Sequence, residues 1–380
     1  MKKVAIIGAG ISGLFIANLL KRNPNYQVTI YEKNTSVSLE EGYGVQLSVN
    51  SIKLLNKIGF EELRNNEKNN PEKINFYAIK NSTKICELDI SDFNLENCKY
   101  TTLKRSSLVK FLNRDLVDII KTDHNISKID QIDNQIRLSF KNNKIDECDY
   151  LIISDGVFSK SKSLISNNKI KPKYNNSLAI RGILTKFNEK IDHKNISLFL
   201  GSNFHYVIYP VNSNGDLNFI AIMKHQLSKE EKENYLLFND EKFIKKILDN
   251  VPLEMKEFLE KIKELKIFPV FVSDNFFKTT NNNIYFIGDA FFAFPPSFAQ
   301  GASQSIEGAY ELFKSIENST ENNFFKNRVR KTKMINNRSK FNQFAFHLSN
   351  PLSTLLRNIF LKRLVKNKSF LESYLGKIYR

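Results

Sequence analysis

The first 32 residues constrain this chain more than any other stretch. Lys3-Val4-Ala5-Ile6-Ile7 is a short apolar run rich in β-branched residues, which predicts a buried parallel strand. Gly8-Ala9-Gly10-Ile11-Ser12-Gly13 follows at once, then a helical stretch from Leu14 to Leu20, then a second strand, Val28-Thr29-Ile30-Tyr31, ending at Glu32. Strand, G-x-G-x-x-G, helix, strand and acid in that order form a dinucleotide-binding fingerprint. Gly8 permits the tight turn, Gly10 lets the backbone approach a pyrophosphate, and Gly13 lets helix and strand pack closely. The helix start, which includes Ser12, then faces the phosphates. Glu32 lies 19 residues past Gly13, where a carboxylate binds a ribose hydroxyl pair. An acid there disfavours a 2′-phosphate, so the expected ligand is FAD or NAD rather than NADP.

This context also decides against a secretory leader, which the basic start and apolar run superficially imitate. No apolar run reaches the ~18 residues of a spanning helix. The chain has 380 residues, enough for two domains and a tail, and its 41% apolar and 26% charged residues are those of an ordinary globular protein. Three cysteines, Cys86, Cys98 and Cys148, are too few and too far apart for a zinc site, and their odd number argues against a disulfide framework. A reducing cytoplasm fits, and no metal is expected.

Further motifs select FAD. Gly42-Tyr43-Gly44-Val45-Gln46-Leu47-Ser48-Val49-Asn50 is followed by Leu54-Leu55 and Ile58-Gly59-Phe60. Thr102-Leu103-Lys104-Arg105-Ser106-Ser107-Leu108-Val109-Lys110-Phe111-Leu112 carries R-x-x-L at the start of a helix. Tyr150-Leu151-Ile152-Ile153-Ser154-Asp155-Gly156 and Ile284-Tyr285-Phe286-Ile287-Gly288-Asp289-Ala290 each run from an apolar strand into a small-residue and Asp turn. The second continues through Pro296 to Gln300-Gly301-Ala302-Ser303-Gln304-Ser305-Ile306-Glu307. In this order and spacing the motifs resemble those of the single-component FAD-dependent aromatic hydroxylases, group A flavoprotein monooxygenases similar to para-hydroxybenzoate and salicylate hydroxylases.

The resemblance implies an α/β fold: a Rossmann-type FAD-binding domain with an inserted antiparallel-sheet substrate domain and a helical C-terminus. It implies FAD contacts from Gly8, Gly10, Ser12, Gly13, Glu32, Gln46, Arg105, Asp155, Gly156, Gly288, Asp289, Gln300, Gly301 and Ala302. Asp289 would accept hydrogen bonds from ribityl hydroxyls, and the helix after Gln300 would aim its amides at the flavin ring. Two departures stand out: Phe292 replaces a common histidine, and Glu307-Gly308-Ala309 replaces Glu-Asp-Ala.

The expected FAD-binding domain comprises residues 1–73, 100–176 and 280–325, and the substrate domain 74–99 and 177–279. Strand-like runs at 181–184, 197–200, 204–211 and 217–222, with a turn at Asn212-Ser213-Asn214-Gly215-Asp216, predict the antiparallel sheet. The stretch 74–90 is expected to add strands to it, with helices near 241–250 and 253–263. His205, Tyr209, His225 and Pro296 are candidate pocket residues. No catalytic side chain is assigned, because the flavin carries the chemistry.

The charge is uneven. The chain has 57 Lys+Arg against 40 Asp+Glu, a net of +17. Residues 326–380 hold 14 of those basic residues and the single acid Glu372, a net of +13, leaving +4 for the body. Leu352, Leu355, Leu356, Ile359, Phe360, Leu364 and Val365 recur there at helical spacing. Such a basic amphipathic helix either packs on the body or lies on anionic lipid. No nucleic-acid motif accompanies the charge.

The expected reaction is hydroxylation of an aromatic substrate, a phenol or quinone precursor. NADH or NADPH reduces the flavin, dioxygen is trapped as a flavin hydroperoxide, and one oxygen atom is transferred. A reductase on the same scaffold, or a membrane-surface flavoprotein without hydroxylase activity, are the alternatives. The expected location is the cytoplasm, with or without peripheral contact to the inner membrane face.

Overall fold

The computed structural model describes every residue except 40, 41, 134, 185–191, 282 and 380. Arg380 of the basic tail therefore lies outside the described residues. The opening apolar run forms the strand Lys2–Ile7, the centre of a five-stranded parallel sheet. Across it the order is Ile284–Phe286, Tyr150–Ile153, Lys2–Ile7, Tyr26–Tyr31 and Ile120–Lys121. Val4 and Ile6 enter one core cluster, Ala5 and Ile7 another. Burial on both faces is why the run is apolar throughout instead of alternating. The helices Ile11–Leu20 and Gly301–Glu317 feed the first cluster. The antiparallel strands Ile126–Ile132, Gln135–Phe140 and Ile145–Cys148 cover the second through Ile136, Leu138 and Phe140.

A seven-stranded sheet forms the second layer. Its order is Lys263–Val272, Lys173–Leu184, Leu217–Lys224, Phe204–Pro210, Ile196–Leu200, Lys73–Ala78 and Thr83–Asp89. All neighbours are antiparallel except Ile196–Leu200 with Lys73–Ala78. The segment 74–90 thus supplies the far edge of this sheet. The strand carrying Arg181 begins at Lys173, a few residues before the expected change of domain at 176. Alternation decides which residues face where. Phe204, Tyr206 and Ile208 enter a core with Phe238, Ile247 and Met255 from the neighbouring helical segment. His205, Val207 and Tyr209 point to the opposite face.

The C-terminal region is helical. Glu321–Phe346 is a long helix, and Pro351–Leu364 follows with Asn350 as its cap, accepting from the amides of Leu352 and Ser353. No helix among the described residues is long and apolar enough to cross a membrane. The long helix is anchored by Arg328, which is buried. Its guanidinium donates to the Gln304 carbonyl at 2.8 Å and the Gln304 side chain at 2.7 Å, and pairs with Glu307 at 3.4 Å. Lys331 reaches the same Glu307 carboxylate at 2.9 Å.

This contact explains one sequence departure. A Cβ on Gly308 would lie 2.9 Å from Arg328 Nε, so a larger residue here would have to displace the guanidinium from its present place. Arg328→Met removes the buried guanidinium shared by Glu307, Glu311 and Gln304, leaving Glu307 to Lys331. It is expected to cost about 3 kcal/mol, read as a lower urea midpoint at unchanged slope; a loss under about 1 kcal/mol would show that the anchor is dispensable.

Candidate functional site

Three adjacent strands of the parallel sheet end together. Ile7 is level with Ile153, and Ile153 with Phe286. Gly8, Asp155 and Gly288 therefore emerge along one carboxyl edge, where open α/β sheets hold ligands. The packing behind that edge is close. A Cβ on Gly13 would stand 2.2 Å from the Gly8 carbonyl oxygen and 2.5 Å from Ser154 Oγ. Gly8 adopts φ +100° against the Ser154 backbone. Ser154 Oγ donates to the carbonyls of Ile7 and Gly8, each at 2.9 Å. Gly288 lies against Ser12, whose Oγ is 2.5 Å from its would-be Cβ. Three motifs distant in sequence are thus mutually fitted.

Gly10 differs. Its φ is −85°, which any residue adopts, and nothing lies within 4 Å of its would-be Cβ. Gly156 and Gly301 border the same kind of open space. A cradle that the protein's own packing does not require fits a bound pyrophosphate. Polar atoms agree with it. Asp155 Oδ2 accepts from Ser161 N–H and Oγ–H, while its buried Oδ1 has no partner in the protein; buried Gln300 Nε2 has none either. Unsatisfied buried groups are uncommon and call for an occupant. Glu32 accepts from the Ala9 and Asn34 amides, both at 3.0 Å, holding the glycine loop while keeping carboxylate lone pairs for a ribose. These features fit FAD.

Asp289 borders the cavity. Its surface is open, but open to a recess walled by protein rather than to bulk water. Burial raises its pKa to about 6, and the Lys162 ammonium only partly opposes this. The same burial lowers the Lys162 pKa.

Beyond the edge lies a cavity of about 500 Å³. Gln46, Asp289, Pro296, Gly301 and Ala302 line it from the parallel-sheet side, and His205 and Tyr209 from the seven-stranded sheet. Arg105 sits next to it: its amide donates to the Tyr43 carbonyl, and its stem packs on Gly42. His225 lies elsewhere, its amide bonded to the Asn176 carbonyl. His205 is buried, with Nδ1 2.8 Å from His347 Nε2, and burial holds both rings below the usual imidazole range, His347 at about 4. A neutral pair sharing one proton tethers the sheet to the end of the long helix.

Three lining residues escaped the sequence reading. Arg181 donates to the Gly44 carbonyl at 2.9 Å and lies 5.1 Å from the Tyr43 ring centre, while its buried Nε has no partner in the protein. Tyr100 donates to Gln46 Oε1 at 2.9 Å. Tyr379, near the C-terminus, closes the far wall. The alternation of the Arg181 strand marks its face, but not that a cavity lies there. Most of the remaining wall is apolar, with Ile74, Phe76, Leu88, Ile196 and Leu198 contributed by the sheet.

Comparison with known proteins agrees with this geometry. A family model described as an FAD binding domain matches residues 1–321. The chain is similar to 6-hydroxynicotinate 3-monooxygenase of Bordetella bronchiseptica, with 21% identity over 323 residues, 83% of this chain and 82% of the relative. It is similar to salicylate hydroxylase of Pseudomonas putida, with 22% identity over 361 residues, 83% and 77% of the two chains. Its fold matches that of HpxO from Klebsiella pneumoniae, solved with FAD and uric acid, at a TM-score of 0.82 and 14% identity, covering 99% and 97% of the chains. With the glycine loop, the strand-end aspartates and the cavity they border, these matches place the chain in the FAD-binding-domain family of flavin-dependent monooxygenases.

Proposed function

We propose that the protein hydroxylates an apolar phenol at the cavity between the parallel sheet and the seven-stranded sheet, using FAD, NADH or NADPH, and dioxygen. The observation that carries this reading is the alignment of the strand-end motifs along one carboxyl edge, of which Asp289, with Gly301 and Ala302, lines a largely apolar cavity. In this reading the parallel-sheet layer holds the cofactor and the seven-stranded sheet roofs the substrate. The overall change balances as phenol, NAD(P)H, a proton and dioxygen going to the hydroxylated phenol, NAD(P)⁺ and water. Bound FAD supplies hydride acceptance and oxygen activation.

The chain's own residues supply position and environment. The amides beginning the Gly301–Glu317 helix would present a positive dipole end to the bound cofactor. Asp289 and Asp155 would accept from its hydroxyls, and Glu32 would hold its ribose. Gln46, Tyr100 and Arg181 form the polar strip that orients the phenol hydroxyl. Tyr209 is held protonated by burial, its pKa pushed up to about 12, so it serves as a donor. The aliphatic wall excludes water from the reacting atoms. The peripheral membrane contact expected from the basic tail does not depend on this activity.

Gly10→Val tests the cradle against mere packing. It is expected to leave the melting temperature of the apoprotein near wild type and to lower FAD affinity at least about 100-fold, ~2.7 kcal/mol. Gly13→Ala, by contrast, collides with the Gly8 carbonyl and should cost about 3 kcal/mol of stability itself. Equal effects of the two would refute the distinction.

Asp289 makes a signed pH prediction. Its carboxyl ionises near 3.8 when unfolded and near 6 in the fold, so it favours the folded apoprotein at low pH. That contribution is lost as pH rises through about 6. Asp289→Asn should flatten apoprotein stability over this window while weakening FAD binding about 10-fold to 100-fold. A pH profile identical to wild type would disprove the assignment.

For the activity, flavin absorbance of the purified protein and NAD(P)H oxidation with a panel of phenols are measured, with product mass and oxygen uptake. One dioxygen consumed per hydroxylated product is expected. Substrate turnover without oxygen uptake would indicate a reductase instead.

A further inference from the structure

The helix Pro351–Leu364 is apolar on two sides. Leu361, Leu364 and, just past its end, Val365 line the cavity. Leu352, Leu355, Leu356, Ile359 and Phe360 are between 41% and 65% exposed. Phe341 and Phe344 on the preceding helix add rings that are 60% and 67% exposed, and Phe341 also lines the cavity. The Arg357 guanidinium donates to the Ala345 carbonyl at 3.4 Å, tying the two helices together beside this face. A helix of a soluble protein normally turns polar residues outward, and apolar surface gathered in one place marks an interaction site.

Charge selects the occupant. Exposed Lys340, Lys362, Arg363, Lys366 and Lys368 accompany the apolar residues, and Glu372 is the single acid after residue 325. A second copy docking by two-fold symmetry would set this basic surface against itself. A bilayer with anionic headgroups satisfies both halves: apolar side chains enter the acyl boundary while lysine and arginine stems reach up to the phosphates. The cavity shares Phe341 with the exposed face and takes part of its wall, Leu361 and Leu364, from the same helix.

We propose that this face docks on an anionic bilayer and that the cavity draws from it a lipophilic phenol, one whose apolar tail lies along the aliphatic wall. The substrate half rests on the hydroxylase reading; the docking half stands without it.

The test uses the full-length protein with FAD and vesicles of phosphatidylcholine, alone or mixed with phosphatidylglycerol. Wild type is expected to float with the mixed vesicles, weakly with the neutral ones, and less as salt rises. Leu355→Gln combined with Phe360→Gln, both outside the cavity, should reduce flotation at least about tenfold with an unchanged melting temperature. Wild type remaining in solution, equal flotation on neutral vesicles, or equal flotation of the variant overturns docking. A dimer in solution that the variant dissociates overturns it in favour of a second copy.

For the substrate, a long-chain alkylphenol in vesicles is compared with a short-chain phenol in solution. The variant should lose about tenfold in rate on the first and none on the second. Equal rates for wild type and variant on the vesicle-borne phenol overturn delivery from the bilayer. If wild type oxidises neither phenol, the substrate half is overturned with the hydroxylase reading, and flotation decides docking by itself.

Discussion

The seam formed by Gly8, Gly13 and Ser154 is the constraint on which the rest of this molecule depends. The first helix meets the first strand so closely that its third glycine has no room for a methyl group. Ser154 then bonds two successive carbonyls where the strand enters the turn, locking the strand end that carries Asp155 to the glycine loop. Gly288 closes on Ser12 from the other side. Because these contacts are backbone against backbone or against short side chains, they tolerate little displacement. They fix Asp155 and Asp289 along one edge, and the cavity inherits its position from them.

The second layer is joined to that seam by a few polar contacts. The Gly44 amide donates to Asn218 at 2.6 Å, its carbonyl accepts from Arg181, and Thr102 Oγ1 donates to the Pro210 carbonyl at 2.5 Å. These bonds hold the seven-stranded sheet over the edge with its His205, Val207 and Tyr209 face inward. The C-terminal helices complete the enclosure. Their basic charge divides into two groups: Arg328, Lys331, Arg338 and Arg357 bond to the body or to one another's helices, while Lys340, Lys362, Arg363, Lys366 and Lys368 remain at the surface. The net charge of the chain is therefore partly an internal fastening and partly a surface property.

How much of this was legible in sequence depended on the range of the interaction involved. The glycine loop, its strands and the helix after Gln300 were readable because their requirements are local: a tight turn, a buried strand, a helix start. The start of the seven-stranded sheet's strand at Lys173 was not, since Lys173, Asn175, Asn176 and Ser177 are polar and carry no strand pattern of their own. Nor did sequence spacing distinguish His205, which borders the cavity, from His225, which does not. Both sit in or beside strands, and only the stacking of the sheet on the parallel layer tells them apart.

By itself the sequence determined that a dinucleotide-binding edge exists, that its carboxylates and glycines are of the kind FAD uses, and that excess basic charge gathers after residue 325. Those facts follow from residue type and short spacing. Tertiary structure alone decided that Arg181, Tyr100 and Tyr379 line one cavity with Asp289, that Gly308 makes way for Arg328, and that one side of the last long helix lines the cavity while the other faces outward. Each depends on which of two faces an element buries, and that choice is made by the partner it packs against.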